Sequence, residues 1–279
     1  LTSAKSNYLR EIILIEALIA ILSGIVLVIY MRRRLVVPVQ QLSEAALNMV
    51  EHLEDGNSPE LVVKHDDELR ELAESFTTMY HEVGAYIAKL ETVTAEKERI
   101  GAELDVAAKI QSSMLPCIFP AFPNRSEFDI YATIDPAKEV GGDFYDFFLI
   151  DDDHLGLVMA DVSGKGVPAA LFMMMSKILV NNYAMMGGSP KEVLERVNNA
   201  ICKNNEEDMF VTVWFGILTI STGRVVAANA GHEYPILRKA DGKFEVLKDP
   251  HGLVIGGMED MTYKEYEFTL EKGGTLFLY

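Results

Sequence analysis

Cysteine is scarce: Cys117 and Cys202 are the only two in 279 residues, far apart and in no ligand spacing. A disulfide framework and a cysteine-built zinc site are thereby excluded, and a reducing cytosol suits the pair. Positive charge is short as well. Lysine and arginine total 25 against 42 aspartates and glutamates, a net charge of −17, and such a surface does not hold nucleic acid non-specifically. No internal repeat or low-complexity tract occurs. The length fits one large domain, or two smaller modules with a connector.

What is present starts with a long apolar run. Residues 12–30, IILIEALIAILSGIVLVIY, carry one charge, Glu16. As a helix rising about 1.5 Å per residue, they match the roughly 30 Å hydrocarbon core of a bilayer. Arg32, Arg33 and Arg34 follow the run, the reverse of a cleaved signal peptide. Positive charge beside a span marks its cytoplasmic side, so everything from Met31 onward is expected in the cytosol. The chain starts at Leu1 and stops at Tyr279 inside an apolar run. Both ends read as cut, with residues 1–11 expected to close an extracytoplasmic region.

Two amphipathic helices are expected next. Pro38 opens the first, with Leu42, Ala46, Met49 and Leu53 on one face. Gly56, Asn57 and Pro59 mark a connector. The second helix starts in HDDELRELAESFTTM (65–79), with Asp66 or Asp67 as N-cap and Leu69, Leu72, Phe76, Met79 and Val83 on its apolar face. The proline after the span and the DELRELAESFTTM string make residues 31–83 resemble a HAMP linker, the parallel four-helix module of bacterial receptors. From residue 84 the helix is expected to run on to 115. Tyr86, Leu90, Val93, Lys97, Ile100, Leu104, Ala107, Gln111 and Met114 keep a 4-3 register. Such a seam stays wet on a lone helix, so a coiled-coil homodimer through this helix and the HAMP linker is expected. Pro116 ends it.

The texture then changes. Runs 127–134, 143–150, 154–161, 210–220, 224–230 and 262–270 read as strands, and 167–186 and 190–203 as helices. An α+β domain follows, a mainly antiparallel sheet with helices packed outside. Its chemistry gathers at strand ends. In VGGDFYD (140–146), Gly141 and Gly142 free the backbone before Asp143; in ADVSGKGVPAAL (160–171), Asp161 ends an apolar strand before a glycine-rich turn. Two carboxylates leaving neighbouring strands beside main-chain carbonyls suit a hard divalent ion. An aspartate at a turn also caps backbone amides, so spacing alone leaves both roles open.

VGGDFYD, then DVSGKGVPAAL, then NAGHEYP (229–235), preceded by AAKIQSSMLP (107–116), resemble the SpoIIE-type branch of the PPM (type 2C) protein phosphatases. The resemblance spans residues 100–279. It implies an antiparallel β-sandwich flanked by helices over residues 116–279, and two Mn²⁺ or Mg²⁺ ions. Asp143 would bridge the ions, and Asp161 with the main-chain carbonyl of Val162 would complete the pair. Water would attack phosphoserine or phosphothreonine directly. Asp146, Gly164, Gly231 and His232 fall in the motifs as supporting residues, and Ile110, Gln111 and Leu115 in the regulatory helix before the domain. Lys165 stands where the family often has histidine. The resemblance also implies a phosphorylated STAS-fold anti-sigma-factor antagonist as substrate and partner. An aspartate–glycine pair, a further metal ligand of the family, is expected just beyond Tyr279, so the residues given are expected to be poorly active. Rivals to this reading fit the residues less well. A GGDEF-type diguanylate cyclase needs an acidic residue where Phe144 stands, and leaves DVSGKG unexplained. A catalytically inactive signalling scaffold is the other alternative.

Overall fold

The computed structural model describes residues 2–48, 68–136, 138–249 and 251–279. The chain divides into two compact units, Leu1–Glu98 and Arg99–Tyr279.

In the first unit, helix α1 (Thr2–Met31) presents every large apolar side chain from Ile12 to Met31 to its surroundings. Among the described residues, none buries it. It is long and apolar enough to cross a membrane, with a mean hydropathy of 3.0 over its best window. The helix does not stop before Pro38 but widens into a π-helical turn, Arg32–Val36, where Val37 N–H reaches back to the Arg32 carbonyl. The cause is local. Pro38 has no N–H to give and its ring crowds the preceding turn, so the chain rewinds by one residue there. Arg34 lies over the Tyr30 ring, 5.4 Å from its centroid, and the pair anchors the end of the apolar stretch.

Helix α2 (Val37–Leu47) buries Leu42 and Ala45. Ala46, expected on that face, is exposed; the helix turns by i+3 where the pattern was read as i+4. Met49, Leu53, the connector and both candidate aspartate caps lie outside the described residues. Helix α3 (Glu68–Ser113) runs unbroken for 46 residues. It buries Ala73 and Tyr80, with Leu69, Phe76 and Val83 half-buried. Leu72 and Met79, expected on the covered face, are exposed in the single chain. Apolarity alone does not rank which positions of a helix are covered.

The second unit is built on two antiparallel sheets. Strands β1 (Phe144–Leu149), β2 (His154–Val162), β3 (Val211–Thr219), β4 (Arg224–Ala230) and β7 (Glu265–Thr269) form one, in the order β1-β2-β3-β4-β7. The short strands β5 (Ile236–Arg238), β6 (Phe244–Val246) and β8 (Thr275–Phe277) form the other, in the order β6-β5-β8. Alternation along β3 sends Val213 and Phe215 to one face of the large sheet and Trp214 to the other. The first face packs on helices α4 (Val167–Met185) and α5 (Pro190–Cys202), through Phe172, Met173, Val193, Leu194 and Val197. The second packs Trp214, Val225 and Ala227 on Phe122, Phe128, Tyr266 and Leu276. Gly216 has no side chain because a Cβ there would meet the Trp214 ring at 2.4 Å. Ser189 opens α5 with a capping box, its hydroxyl taking the Glu192 N–H while the Glu192 carboxylate takes Ser189 N–H.

Five of the six expected strand runs are strands of the large sheet; residues 127–134 are not a strand. Phe128, Ile130, Ala132 and Ile134 do alternate inward with exposed neighbours. Alternation reports one covered face, and a covered face does not require a paired neighbour. Strands β5 and β6, three residues each, are too short to show any period.

Candidate active site

The register of the large sheet places the two motif aspartates. Phe144 pairs with Ala160, so the next facing positions across β1 and β2 are Asp143 and Asp161. Directly opposed side chains stand about 5 Å apart at Cβ. Both residues are exposed, so the carboxylates open to solvent at one end of the sheet. Partial burial, followed by the hydrogen bond and the charge of Asp143, raises the Asp161 pKa to about 6. Two carboxylates this close share a proton when nothing positive lies between them.

The loop before Asp143 is held from two sides. Gly142 lies so close to β2 that a Cβ would sit 3.1 Å from the Val162 carbonyl oxygen and 3.4 Å from the Ala169 methyl. Gly141 is clasped by Gln111: Gln111 Nε2 donates to the Gly141 carbonyl at 2.7 Å, and Gly141 N–H donates to Gln111 Oε1 at 3.1 Å. Gln111 is buried, and so is Leu115, which joins the main core; Ile110 is exposed. Tyr145 O–H adds a tie to the Pro116 carbonyl at 2.9 Å. After Asp161, Ser163 is pinned by Ser163 N–H to the Phe210 carbonyl and Phe210 N–H to Ser163 Oγ. Gly164 and Gly166 take φ of +87° and +78° around Lys165, conformations that favour glycine.

The remaining motif residues lie around this pair. Asp146 is buried and does not join the carboxylates: Lys177 Nζ of α4 donates to its Oδ2 at 2.8 Å. Gly231, at φ +74°, turns the chain so that the buried His232 points its Nδ1 to within 2.8 Å of Thr212 Oγ1. Burial holds the His232 pKa below its usual range, against the opposing pull of the Tyr279 main chain, Glu233 and Asp143. Thr212, Asn229 and Lys177 were not singled out from the sequence. Their roles follow from strand register and helix packing, which leave no local signal.

The donor set suits a hard cation: two facing carboxylates and, beside Gly142, the Val162 carbonyl. Among the described residues no group of three or more His, Cys, Asp or Glu forms a ready cage; Asp143 and Asp161 are a facing pair of carboxylates. A pH prediction follows from Asp161. Its folded-state pKa lies above the unfolded value, so its contribution to stability is full below about pH 3.8 and is lost as pH rises through about 6. In the presence of EDTA, the melting temperature of the wild type is expected to fall relative to Asp161→Asn over that window. Parallel curves for the two proteins would show that the carboxylates do not share a proton.

An antiparallel two-sheet domain with helices on one face and an acidic pair at one sheet end has the architecture of a PPM-type, PP2C-like domain. Residues 151–279 belong to the family described as Stage II sporulation protein E (SpoIIE), and residues 30–85 are a HAMP domain. The chain is homologous to Phosphoserine phosphatase RsbU of Bacillus subtilis, with 32% identity over 190 residues, 68% of this chain and 55% of that protein. It is similar also to Protein IcfG of Synechocystis sp., 31% identical over 240 residues, 76% of this chain and 37% of that protein. The chain thus spans about half, or less, of these relatives' lengths. Among solved structures, the SiaA-PP2C domain of Pseudomonas aeruginosa shares the fold, with a TM-score of 0.55 and 23% identity over 66% of this chain and 72% of that one.

Proposed function

We propose that this chain is the signalling and catalytic part of a membrane-anchored, metal-dependent serine/threonine phosphatase that acts on a cytosolic phosphoprotein. The observation that carries the reading is the facing of Asp143 and Asp161 across β1 and β2, next to the Val162 carbonyl. Divalent cations held by these groups, Mn²⁺ or Mg²⁺, would supply Lewis-acid activation of water and neutralise phosphoryl charge. The chain's own contribution is placement. Gly142 lets the Asp143 loop approach β2, Gln111 fixes Gly141, and the exposed rim leaves room for a protein-borne phosphoserine. Homology to a phosphoserine phosphatase favours phosphoserine over other esters. A STAS-fold anti-sigma-factor antagonist is the substrate class we assign. The reading is tested by Mn²⁺-dependent phosphate release from such a phosphoprotein with the complete cytosolic region, the expected aspartate–glycine pair included; no release with Mn²⁺ or Mg²⁺ would defeat it in favour of the scaffold.

Helix α1 is assigned to the bacterial membrane and the rest of the described chain to the cytoplasm, because Arg32, Arg33 and Arg34 follow the apolar stretch. Tyr86, Leu90, Val93 and Ile100 are exposed along α3, and a second copy of this helix, continued from the HAMP domain, would cover them. Signal transfer is assigned to the same helix. It runs without a break to Ser113, and Gln111 near its end clasps the residue two before Asp143. A Gly-Gly pair in place of Glu98 and Arg99 is expected to remove the response of activity to stimulus while leaving basal activity within about threefold, since it breaks the helix and no contact of the site. Unaltered regulation in that variant would show that signals travel another way.

A further inference from the structure

Thr212 and His232 have no role in the placement described so far, yet they form a closed path to the carboxylate edge. Thr212 of β3 faces Asp161 of β2 in the ladder. Its Oγ1 lies 3.3 Å from the Asp161 carbonyl oxygen and 2.8 Å from His232 Nδ1. The histidine is itself clamped. One side chain, Asn229, accepts His232 N–H on Oδ1 at 2.7 Å and donates from Nδ2 to the His232 carbonyl at 3.0 Å. With its main chain held at both polar groups and the residue 7% exposed, the imidazole has little room to turn.

The proton count sharpens the arrangement. Thr212 has a single hydroxyl proton. Given to the Asp161 carbonyl, it obliges His232 to donate from Nδ1 to Oγ1. The Nδ1 contact at 2.8 Å is what calls for histidine at this position.

We infer that His232 and Thr212 are positioning residues of the cation site: the imidazole fixes the Thr212 hydroxyl, and the hydroxyl fixes the peptide that joins Asp161 to Val162. That peptide sets both the aim of the Asp161 carboxylate and the direction of the Val162 backbone that follows. A small rotation there would move two donors together, whereas Asp143 on β1 would stay in place. The inference rests on the reading of Asp143 and Asp161 as the cation seat, and it gives the glycine–histidine turn after β4 a task beyond turning the chain.

The experiment measures Mn²⁺ binding by the electron paramagnetic resonance of free Mn²⁺, with melting temperature in EDTA and kcat and KM on a phosphoserine protein alongside. Thr212→Val removes the hydroxyl at nearly constant volume. His232→Gln places its amide near the Nε2 position, and His232→Asn places one near Nδ1. Loss of an outer-sphere partner of a metal ligand weakens metal binding by about 10- to 100-fold, so Thr212→Val and His232→Gln are expected to weaken Mn²⁺ binding about tenfold or more and to lower kcat more than they raise KM. Thr212→Ser and His232→Asn are expected to stay within about threefold of wild type on the same grounds. Wild-type Mn²⁺ affinity in Thr212→Val overturns the positioning role, as does equal loss in His232→Asn and His232→Gln in proportion to lowered melting temperature. A wild-type protein that binds no Mn²⁺ overturns the cation seat itself, and the positioning role with it.

Discussion

Asp143→Asn is expected to lower Mn²⁺-dependent phosphatase activity roughly a thousandfold, because cation activation of water contributes several kcal/mol to such barriers and each ~1.4 kcal/mol is a factor of ten. The substitution is nearly isosteric and removes one charge from a facing pair. Asparagine keeps an oxygen and can still accept or donate to Asp161, so the loop clasped by Gln111 has no reason to move. Stability should therefore hold or rise slightly without metal, since the repulsion that raises Asp161 is relieved. The useful measurement pairs the two quantities. A thousandfold loss with an unchanged melting temperature is the expected result, and an active Asp143→Asn protein would remove the proposed chemistry. The same pairing separates Asp143 from Asp146, whose loss acts mainly on the fold.

Asp146→Ala is expected to destabilise the second unit by about 3–5 kcal/mol, the usual cost of leaving one partner of a buried ion pair alone. Side-chain exposures of 13% for Lys177 and 6% for Asp146, with 2.8 Å between Nζ and Oδ2, put this pair in the interior between β1 and α4. Alanine would strand the ammonium there and also remove the Oδ1 that accepts Phe147 N–H. For a unit of this size the loss corresponds to a fall in melting temperature of about 6–20 °C. Lys177→Met alone should cost a similar amount, because it strands the carboxylate instead. The double replacement Asp146→Leu/Lys177→Met is expected within about 1–2 kcal/mol of wild type, since a packed apolar pair is often no worse than a buried ion pair. Additive losses in that double variant would show that the two side chains do not act as a pair. Since β1 begins directly after Asp143, the ion pair also anchors the strand that carries the acidic edge to α4.

Most of the helical region was legible because its signal is long. A nineteen-residue apolar run with one charge, followed by three arginines, and a seam kept from Leu69 to Met114, leave few alternatives. Finer placement was not legible. Ala45 rather than Ala46, and Ala73 and Tyr80 rather than Leu72 and Met79, face inward, because apolarity alone does not say which positions of a helix are covered. In the second unit the helices and the long strands fell within a few residues of their expected bounds. The 127–134 run kept its alternation without joining a ladder, for pairing depends on what lies alongside.

The chain order of residues determined where the apolar span, the long helix and the glycine-flanked aspartates lie, because periodicity and backbone freedom are local properties. Only the folded sheet decided that Asp143 faces Asp161, that Gln111 reaches Gly141 thirty positions away, and that Thr212 stands between Asp161 and His232. Those meetings are made by strand register and helix docking. Register is set by the summed burial of whole strands, so no short stretch of sequence carries it.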